Sequence, residues 1–222
     1  MATEWYPTGN SHTQIGYDTD WFVLDVGSGH NPHPRADVLV DKFPLDNPEI
    51  SGRSGRDVVL PHNKVFVVAD ATAMPFRDKS FDFVICSHVA EHIEHIDKFC
   101  SELNRIGKRG YLETPSKFAE ILRHPPYHIW YVSNASGILI FEPAPRDYPL
   151  GWFGKLFFSL YFYKGVQLQG KEVFNFSYGC PKPWHYFLVL LRKVLVWSWR
   201  SLRHLTYTRF QWESSFSWEV RK

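Results

Sequence analysis

The 222 residues predict an α/β fold, a mostly parallel sheet covered by helices, and three observations carry that reading. Between Trp21 and Thr114 lie five short apolar runs, each β-branched or aromatic and about strand length. Their apolarity is continuous and not alternating, as expected of strands buried on both faces. Loops and helical stretches separate them, the pattern of βα units.

Residues 1–20 form an N-terminal extension, with neither the basic start nor the apolar stretch of a signal peptide. The first strand is WFVLDV (21–26), stopped by Gly27-Ser28-Gly29. The second, ADVLVD (36–41), ends in Asp41. Only about ten residues separate these two, the lower limit for a crossover between parallel strands. Asn31-Pro32-His33-Pro34 is a poor helix, so one helical turn or an irregular loop is expected there. VFVVAD (65–70) is the third strand and FDFVIC (81–86) the fourth. Next, Val89, Ile93, Ile96, Phe99, Cys100, Leu103 and Ile106 step by three and four, which predicts one amphipathic helix over 89–106. Gly107 and Gly110 close it, with Lys108 and Arg109 at its negative end. GYLET (110–114) is the fifth strand, and GILIFEP (137–143) reads as a sixth. Two hydrophobic helical stretches follow, 151–164 and 184–205, with a β-like run VFNFSY (173–178) between them. The alternating FQWESSFSWEV (210–220) suits a closing hairpin or an edge strand. Residues 21–148 are thus expected to form the ligand-binding core, with 149–222 packed on it as an addition.

That boundary coincides with a shift in composition. Residues 151–222 hold 20 of the 38 aromatics and carry 11 Lys+Arg against 3 Asp+Glu; residues 1–150 carry 14 against 20. With 44% hydrophobic and 22% charged residues, the chain is neither disordered nor fibrous. Cys86, Cys100 and Cys180 are too scattered for a disulfide framework or a zinc site of the CxxC type, which suits a reduced, cytoplasmic chain. No uncharged apolar run is long enough to span a membrane, since Arg192 and Lys193 interrupt the longest.

Asp25 stands two residues before the Gly27-Ser28-Gly29 turn, at the end of a buried strand. Glycines there allow φ > 0 and close approach of backbone to a ligand, in the crevice where open α/β sheets bind ligands. A dinucleotide is disfavoured, because Pro32 replaces the last glycine of G-x-G-x-x-G and Asp25 would repel a pyrophosphate. S-adenosylmethionine, with an ammonium and a sulfonium, suits a carboxylate better; such a charge-assisted bond contributes about 1.5–3 kcal/mol. Asp41 could then accept from ribose hydroxyls and Asp70, followed by Ala71, from the adenine amine. Taken singly, Asp25 reads better as a turn cap and Asp41 and Asp70 as solvated strand ends; jointly, behind the Gly-x-Gly, the three point to the cofactor.

The pieces VLDVGSGHNP, VLVD, VVADATAMPFRDKSFDFVICSHVAEHIEH and SELNRIGKRGYLETPS, within residues 21–118, resemble the class I (seven-stranded, Rossmann-like) S-adenosylmethionine-dependent methyltransferases, in the branch called methyltransferase domain 11. The resemblance implies that Asp25, Gly27, Ser28 and Gly29 hold the methionine part of the cofactor. It implies that Asp41, with Lys42 beside it, holds the ribose, that Asp70 and Ala71 hold the adenine, and that Ser87 and His88 line the floor. Two features depart from the family: the first helix is nearly absent, and Asn31 replaces its third glycine.

For an oxygen acceptor a base is needed, and His88 is the first candidate, followed by Glu113, His124 and His128. No metal ligand set is assigned, although His88-x-x-Glu91-His92 also matches the inverted zinc-peptidase signature, an alternative that requires the motif to lie within a long helix. A third reading is a methyltransferase-like module that has lost catalysis. His124-Pro125-Pro126-Tyr127 resembles the Asn/Asp-Pro-Pro-Tyr element of base methyltransferases, but it follows the wrong strand and reads better as a rigid turn. Residues 184–205 combine Trp, Phe and Leu with Arg192, Lys193, Arg200 and Arg203, which suits an anionic membrane surface. The expected acceptors are therefore glycan or lipid-linked first, small molecules next, and RNA last.

Overall fold

The computed structural model describes residues 2–8, 13–29, 31–45, 47, 64–161, 167–168, 171–172 and 183–221. Strands β1 (Thr3–Thr8) and β2 (Thr13–Asp18) form an antiparallel hairpin from the N-terminal extension. The apolar runs then become β3 (Val23–Val26), β4 (Val38–Asp41), β5 (Val65–Val68), β6 (Phe83–Ser87) and β7 (Arg109–Pro115). These five pair in parallel in the order β7-β6-β3-β4-β5. The α/β fold with a mostly parallel, Rossmann-like sheet is therefore present. Because β3 lies between β4 and β6, the chain steps outward from β3 through β4 to β5 and then crosses back to β6, and the C-terminal ends of β3 and β6 flank the switch point.

No helix forms in the described part of the first crossover, between β3 and β4, in line with its short length. Arg35 braces this segment. Its guanidinium donates to the carbonyls of Thr19 and Trp21 at 3.1 and 2.7 Å and pairs with Asp37 at 3.1 Å. At the far edge, β5 leaves Val65 and Val68 exposed, which departs from the expectation of burial on both faces.

The helix expected over 89–106 is divided. Ala90–His92 make a single 3₁₀ turn, the backbone is extended at Ile93, and helix α1 begins only at Ile96 and runs to Ile106. The break has a cause. Trp130 Nε1 donates to the Ile93 carbonyl at 2.7 Å, taking an acceptor that a continuous helix would use. The apolar stripe survives the break, so Phe99, Cys100, Leu103 and Ile106 bury against Leu24, Val84 and Leu112 on one face of the sheet. Complete burial of each Phe or Leu contributes about 1.5–3 kcal/mol.

On the opposite face the described cover is a hairpin, not the expected helix. Ile15 and Tyr17 of β2 pack on Val23, Leu39, Phe83 and Ile85, with the Tyr17 ring edge-on to Phe83 at 5.1 Å.

After β7 come α2 (Lys117–Arg123), capped by Ser116 Oγ accepting from the Ala119 N–H, then β8 (Trp130–Ala135) and β9 (Ile138–Pro143). The expected sixth strand is β9, but it belongs to a second sheet. Ser136 and Gly137, at φ 52° and 81°, turn β8 back onto it. Helix α3 (Gly151–Tyr161), the short pair β10 (Gln167–Leu168) and β11 (Lys171–Glu172), α4 (Pro183–Ser201) and α5 (Arg203–Thr206) follow. The β-like run at 173–178 lies outside the described residues. Finally, β12 (Tyr207–Glu213) adds antiparallel to β7, and β13 (Ser217–Val220) adds parallel to β9. The alternating stretch 210–220 is thus no hairpin; its two strands enter two different sheets. Among the described residues no helix is long and apolar enough to cross a membrane.

Candidate functional site

The C-terminal edge of the sheet gathers most of the residues singled out from the sequence. Asp25 lies within β3 with its side chain almost fully buried, and its Oδ2 accepts the His33 N–H at 2.7 Å. Burial pushes this carboxyl up to about 7; the His33 bond works against that shift and the nearby Asp41 adds to it. Just beyond, the N–H groups of Gly27 and Ser28 donate to the Val40 carbonyl at 2.8 and 3.1 Å, folding the loop over β4. Gly27 has φ 69° and Gly29 φ 51°, and a Cβ on Gly27 would stand 2.2 Å from Val89 Cγ2. Only glycine satisfies both demands at position 27. Ser28 Oγ is buried without a hydrogen-bond partner among the described residues.

Asp41 and Asp70 are anchored locally. Asp41 Oδ2 accepts the Gly29 N–H at 2.9 Å and Oδ1 the Phe43 N–H at 3.1 Å, so this carboxylate ties the glycine turn to the end of β4. Asp70 Oδ1 accepts the Thr72 hydroxyl and N–H at 2.7 and 2.9 Å; these bonds, with Lys42 nearby, hold its carboxyl below the usual range. Lys42 Nζ lies 3.7 Å from Asp70 Oδ2, which places it at the β4–β5 edge. Ala71 follows in the same turn. Ser87 ends β6, next in the chain to Cys86, which pairs with Val26, so Ser87 lies beside the glycine turn.

His88 is held on three sides. Its N–H donates to the Glu113 carbonyl at 2.8 Å, Nδ1 meets Glu91 Oε1 at 3.0 Å, and Nε2 lies 3.7 Å from Glu113 Oε1. Burial lowers its pKa, but the Glu91 bond and the charges of Glu91 and Glu113 outweigh this and raise it above the ordinary value. Both ring nitrogens thus face buried carboxylates. Glu113 is fully buried and accepts the Tyr111 hydroxyl at 2.6 Å. The structure brings His88 and Glu113 together at the ends of β6 and β7, and leaves His88 Nε2 buried without a hydrogen-bond partner among the described residues.

His128, in the turn after α2, reaches the same cluster, since it stands close to Glu91, the partner of His88. Its N–H donates to the Pro125 carbonyl at 3.1 Å, so 125–128 is a turn, as the Pro-Pro sequence predicts. Its Nδ1 meets Glu120 Oε1 of α2 at 2.8 Å. His124 caps α2 in a left-handed conformation and is buried against the Tyr131 hydroxyl. The zinc-peptidase alternative loses its helix. His88 lies before the 3₁₀ turn at positive φ, so His88 and His92 do not share a helical face. Glu120 escapes a reading of the sequence, because its part depends on a tertiary contact. Its one local sign is a carboxylate on the buried side of α2.

A family described as a methyltransferase domain matches residues 48–112. That stretch takes in Asp70, Ala71, Ser87 and His88 and leaves Asp25 to Lys42 outside it. A demethylmenaquinone methyltransferase of Renibacterium salmoninarum is 32% identical over 111 residues, 47% of this chain and 43% of that protein. An uncharacterized methyltransferase of Mycobacterium tuberculosis is 30% identical over 112 residues, 48% of this chain and 38% of the relative. The matched stretch thus spans less than half the length of either relative. Among solved structures, the YcgJ protein of Bacillus subtilis aligns over 49% of this chain and 54% of its own, at 24% identity and a TM-score of 0.37. The resemblance to class I methyltransferases read from residues 21–118 is borne out by the family match and the named relatives.

Proposed function

We propose that the chain is an S-adenosylmethionine-dependent methyltransferase whose acceptor is a saccharide or lipid-linked molecule, with a small metabolite second. One observation carries the cofactor assignment: a glycine turn at positive φ at the sheet's switch point, with Asp25 and Asp41 on either side of it. The donor set fits the group. Each carboxylate offers about four acceptor sites, so Asp41 retains capacity for two ribose hydroxyls beyond its two backbone bonds. Ser28 Oγ, buried and without a partner among the described residues, gains one from a ligand in the turn. Asp25 would hold the ammonium and Asp70 the adenine amine.

When bound, the cofactor supplies an electrophilic methyl on a sulfonium. The chain contributes orientation, worth about 7–11 kcal/mol where two reactants must meet in line. His88, braced by Glu91 and Glu113, fixes the crevice wall between β6 and β7. The acceptor class is supported by the helical part after residue 150. Trp152, Phe153, Leu156, Leu190, Val194 and Trp197 are exposed, and Lys193 is exposed among them. Rings and cations at one surface match the headgroup level of an anionic bilayer. Cys86 and Cys100 are buried free thiols, in keeping with work in the cytoplasm, at a membrane face.

Calorimetry with S-adenosylhomocysteine tests the assignment. Wild type is expected to bind and Asp25→Ala to lose most of its affinity; absence of binding by wild type rejects it. Labelled S-adenosylmethionine in a cell extract then sorts the product as glycan, lipid, small molecule or RNA, and binding without any labelled product would indicate a module without catalysis. For the surface, wild type is expected to float with anionic vesicles and Trp152→Ser/Trp197→Ser to remain in the dense fraction.

A further inference from the structure

We propose that Glu91, His92 and His128 form a binding site for one divalent metal ion of the zinc class. Among the described residues these three bring one ligating atom each to within 4.8 Å of one another. They come from two segments, the 3₁₀ turn and the 125–128 turn, and the Ile129 N–H donates to the Glu91 carbonyl at 2.9 Å to hold the segments together. Each side chain is oriented from behind. His128 Nδ1 bonds to buried Glu120, His92 Nδ1 lies 3.2 Å from the Tyr127 carbonyl, and Glu91 Oε1 is engaged by His88. In the tautomers those bonds select, both rings present Nε2 as the lone-pair atom, the arrangement that outer-sphere carboxylates and carbonyls impose on metal-binding histidines.

A second observation points independently to a cation. Glu91 is 1% exposed, and its Oε2 has no hydrogen-bond partner among the described residues. A buried, ionised carboxylate seldom leaves an oxygen unsatisfied without a reason, and an ion on that oxygen supplies one. Two imidazoles and a carboxylate are the ligands of catalytic zinc, which keeps a further position for an oxygen ligand. Zinc at about 2.0–2.2 Å from its ligands sets them roughly 3.4 Å apart, so binding draws the group together by up to about 1.4 Å. His92 and His128 are only partly buried and sit in turns, where such a shift is small.

This set omits His88 and is not the zinc-peptidase motif. It also meets a need of the proposed chemistry: an acceptor hydroxyl on the ion becomes more acidic. That use of the ion rests on the methyltransferase reading; binding of the ion does not.

The test is titration of metal-stripped full-length protein with Co²⁺, read by its visible absorption and by displacement with Zn²⁺. Wild type is expected to bind one Co²⁺ per chain. His92→Ala and His128→Ala should each weaken binding by more than about 100-fold, and Glu120→Gln by about 10-fold, the loss of an outer partner. His95→Ala, an exposed histidine outside the group, should titrate as wild type. If His128→Ala does not fold, His92→Ala decides, with its fold checked by circular dichroism. Failure of wild type to bind Co²⁺, or equal binding by His92→Ala, overturns the site. S-adenosylhomocysteine calorimetry on the same samples reports the cofactor reading separately.

Discussion

The β3–β5 edge and the cluster beyond β6 are both rich in carboxylates and differ in how those carboxylates are satisfied. At the first, Asp25, Asp41 and Asp70 all accept backbone N–H bonds from the loops at the strand ends. At the second, Glu91 and Glu120 each have one oxygen committed to a histidine and the other buried with no partner among the described residues. Carboxylates of the first kind shape a loop and then offer it to a neutral or cationic ligand with their remaining lone pairs. Those of the second kind carry an unmet demand, because a buried oxygen without a partner costs about 1–3 kcal/mol. One edge is a preformed cradle; the other is poised for a charge.

The contrast breaks most severely at Gly27. Gly27→Ala combines a left-handed backbone with a Cβ 2.2 Å from Val89, together about 2–5 kcal/mol, and should abolish detectable S-adenosylhomocysteine binding. Gly137→Ala, equally left-handed at φ 81° but with nothing within 4 Å, should cost only the backbone part and leave binding intact. Thermal melts and calorimetry on the pair separate strain from the cradle.

Asp25→Asn ranks next. The carboxyl ionises near 3.8 in the unfolded chain and near 7 in the folded one, so across that interval unfolding releases a proton. Stability therefore falls as pH rises from about 4 to about 7 and is level above. Over roughly three pH units the loss reaches on the order of 3–4 kcal/mol. The substitution removes the titration, so urea melts should find the variant more stable than wild type at pH 8 and similar to it near pH 4. The same variant should bind S-adenosylhomocysteine roughly 10–150-fold more weakly, the value of a charge-assisted bond. A variant no more stable than wild type at pH 8 would show that Asp25 ionises freely.

Glu120→Gln probes the other edge: the roughly tenfold loss of Co²⁺ affinity should come with unchanged S-adenosylhomocysteine binding. The smallest effect is expected at Asp70→Asn. An amide there keeps an acceptor for Thr72, so stability should change by less than about 0.5 kcal/mol, and cofactor affinity by about 2–10-fold.

The legible parts of the fold are those with local causes. β3 to β7 announce themselves because Val, Ile and Phe runs suit buried pleats, and the carboxylates at their ends follow in the same reading. The break before α1 is hidden in the sequence because Val89, Ile93 and Ile96 keep helical spacing across it; the Trp130 bond that stops the helix comes from far along the chain. β2 escapes notice although Ile15 and Tyr17 alternate correctly, since the partner that makes them a strand is β1 and the face they cover is remote in sequence. Gly137 reads as the start of a strand and instead makes, with Ser136, the turn between two. The cluster beyond β6 is the least legible. Glu91 and His92 meet Glu120 and His128 only through the packing of α2 and the Ile129–Glu91 bond.

Strands β12 and β13 have a consequence in time. β7 acquires its outer partner only when residues 207–213 exist, and β9 acquires its second neighbour only with residues 217–220. At translation rates of roughly 5–20 residues per second, the interval between the end of β7 and the end of β12 is about 5–20 s. Throughout it β7 presents an unpaired edge, and the seats of Phe210, Trp212 and Phe216 beside α1 stay unfilled. The nascent chain therefore has a defined window of vulnerability to strand-to-strand association. Chaperone crosslinking to stalled chains should be strongest within it and decline once Glu213 has emerged.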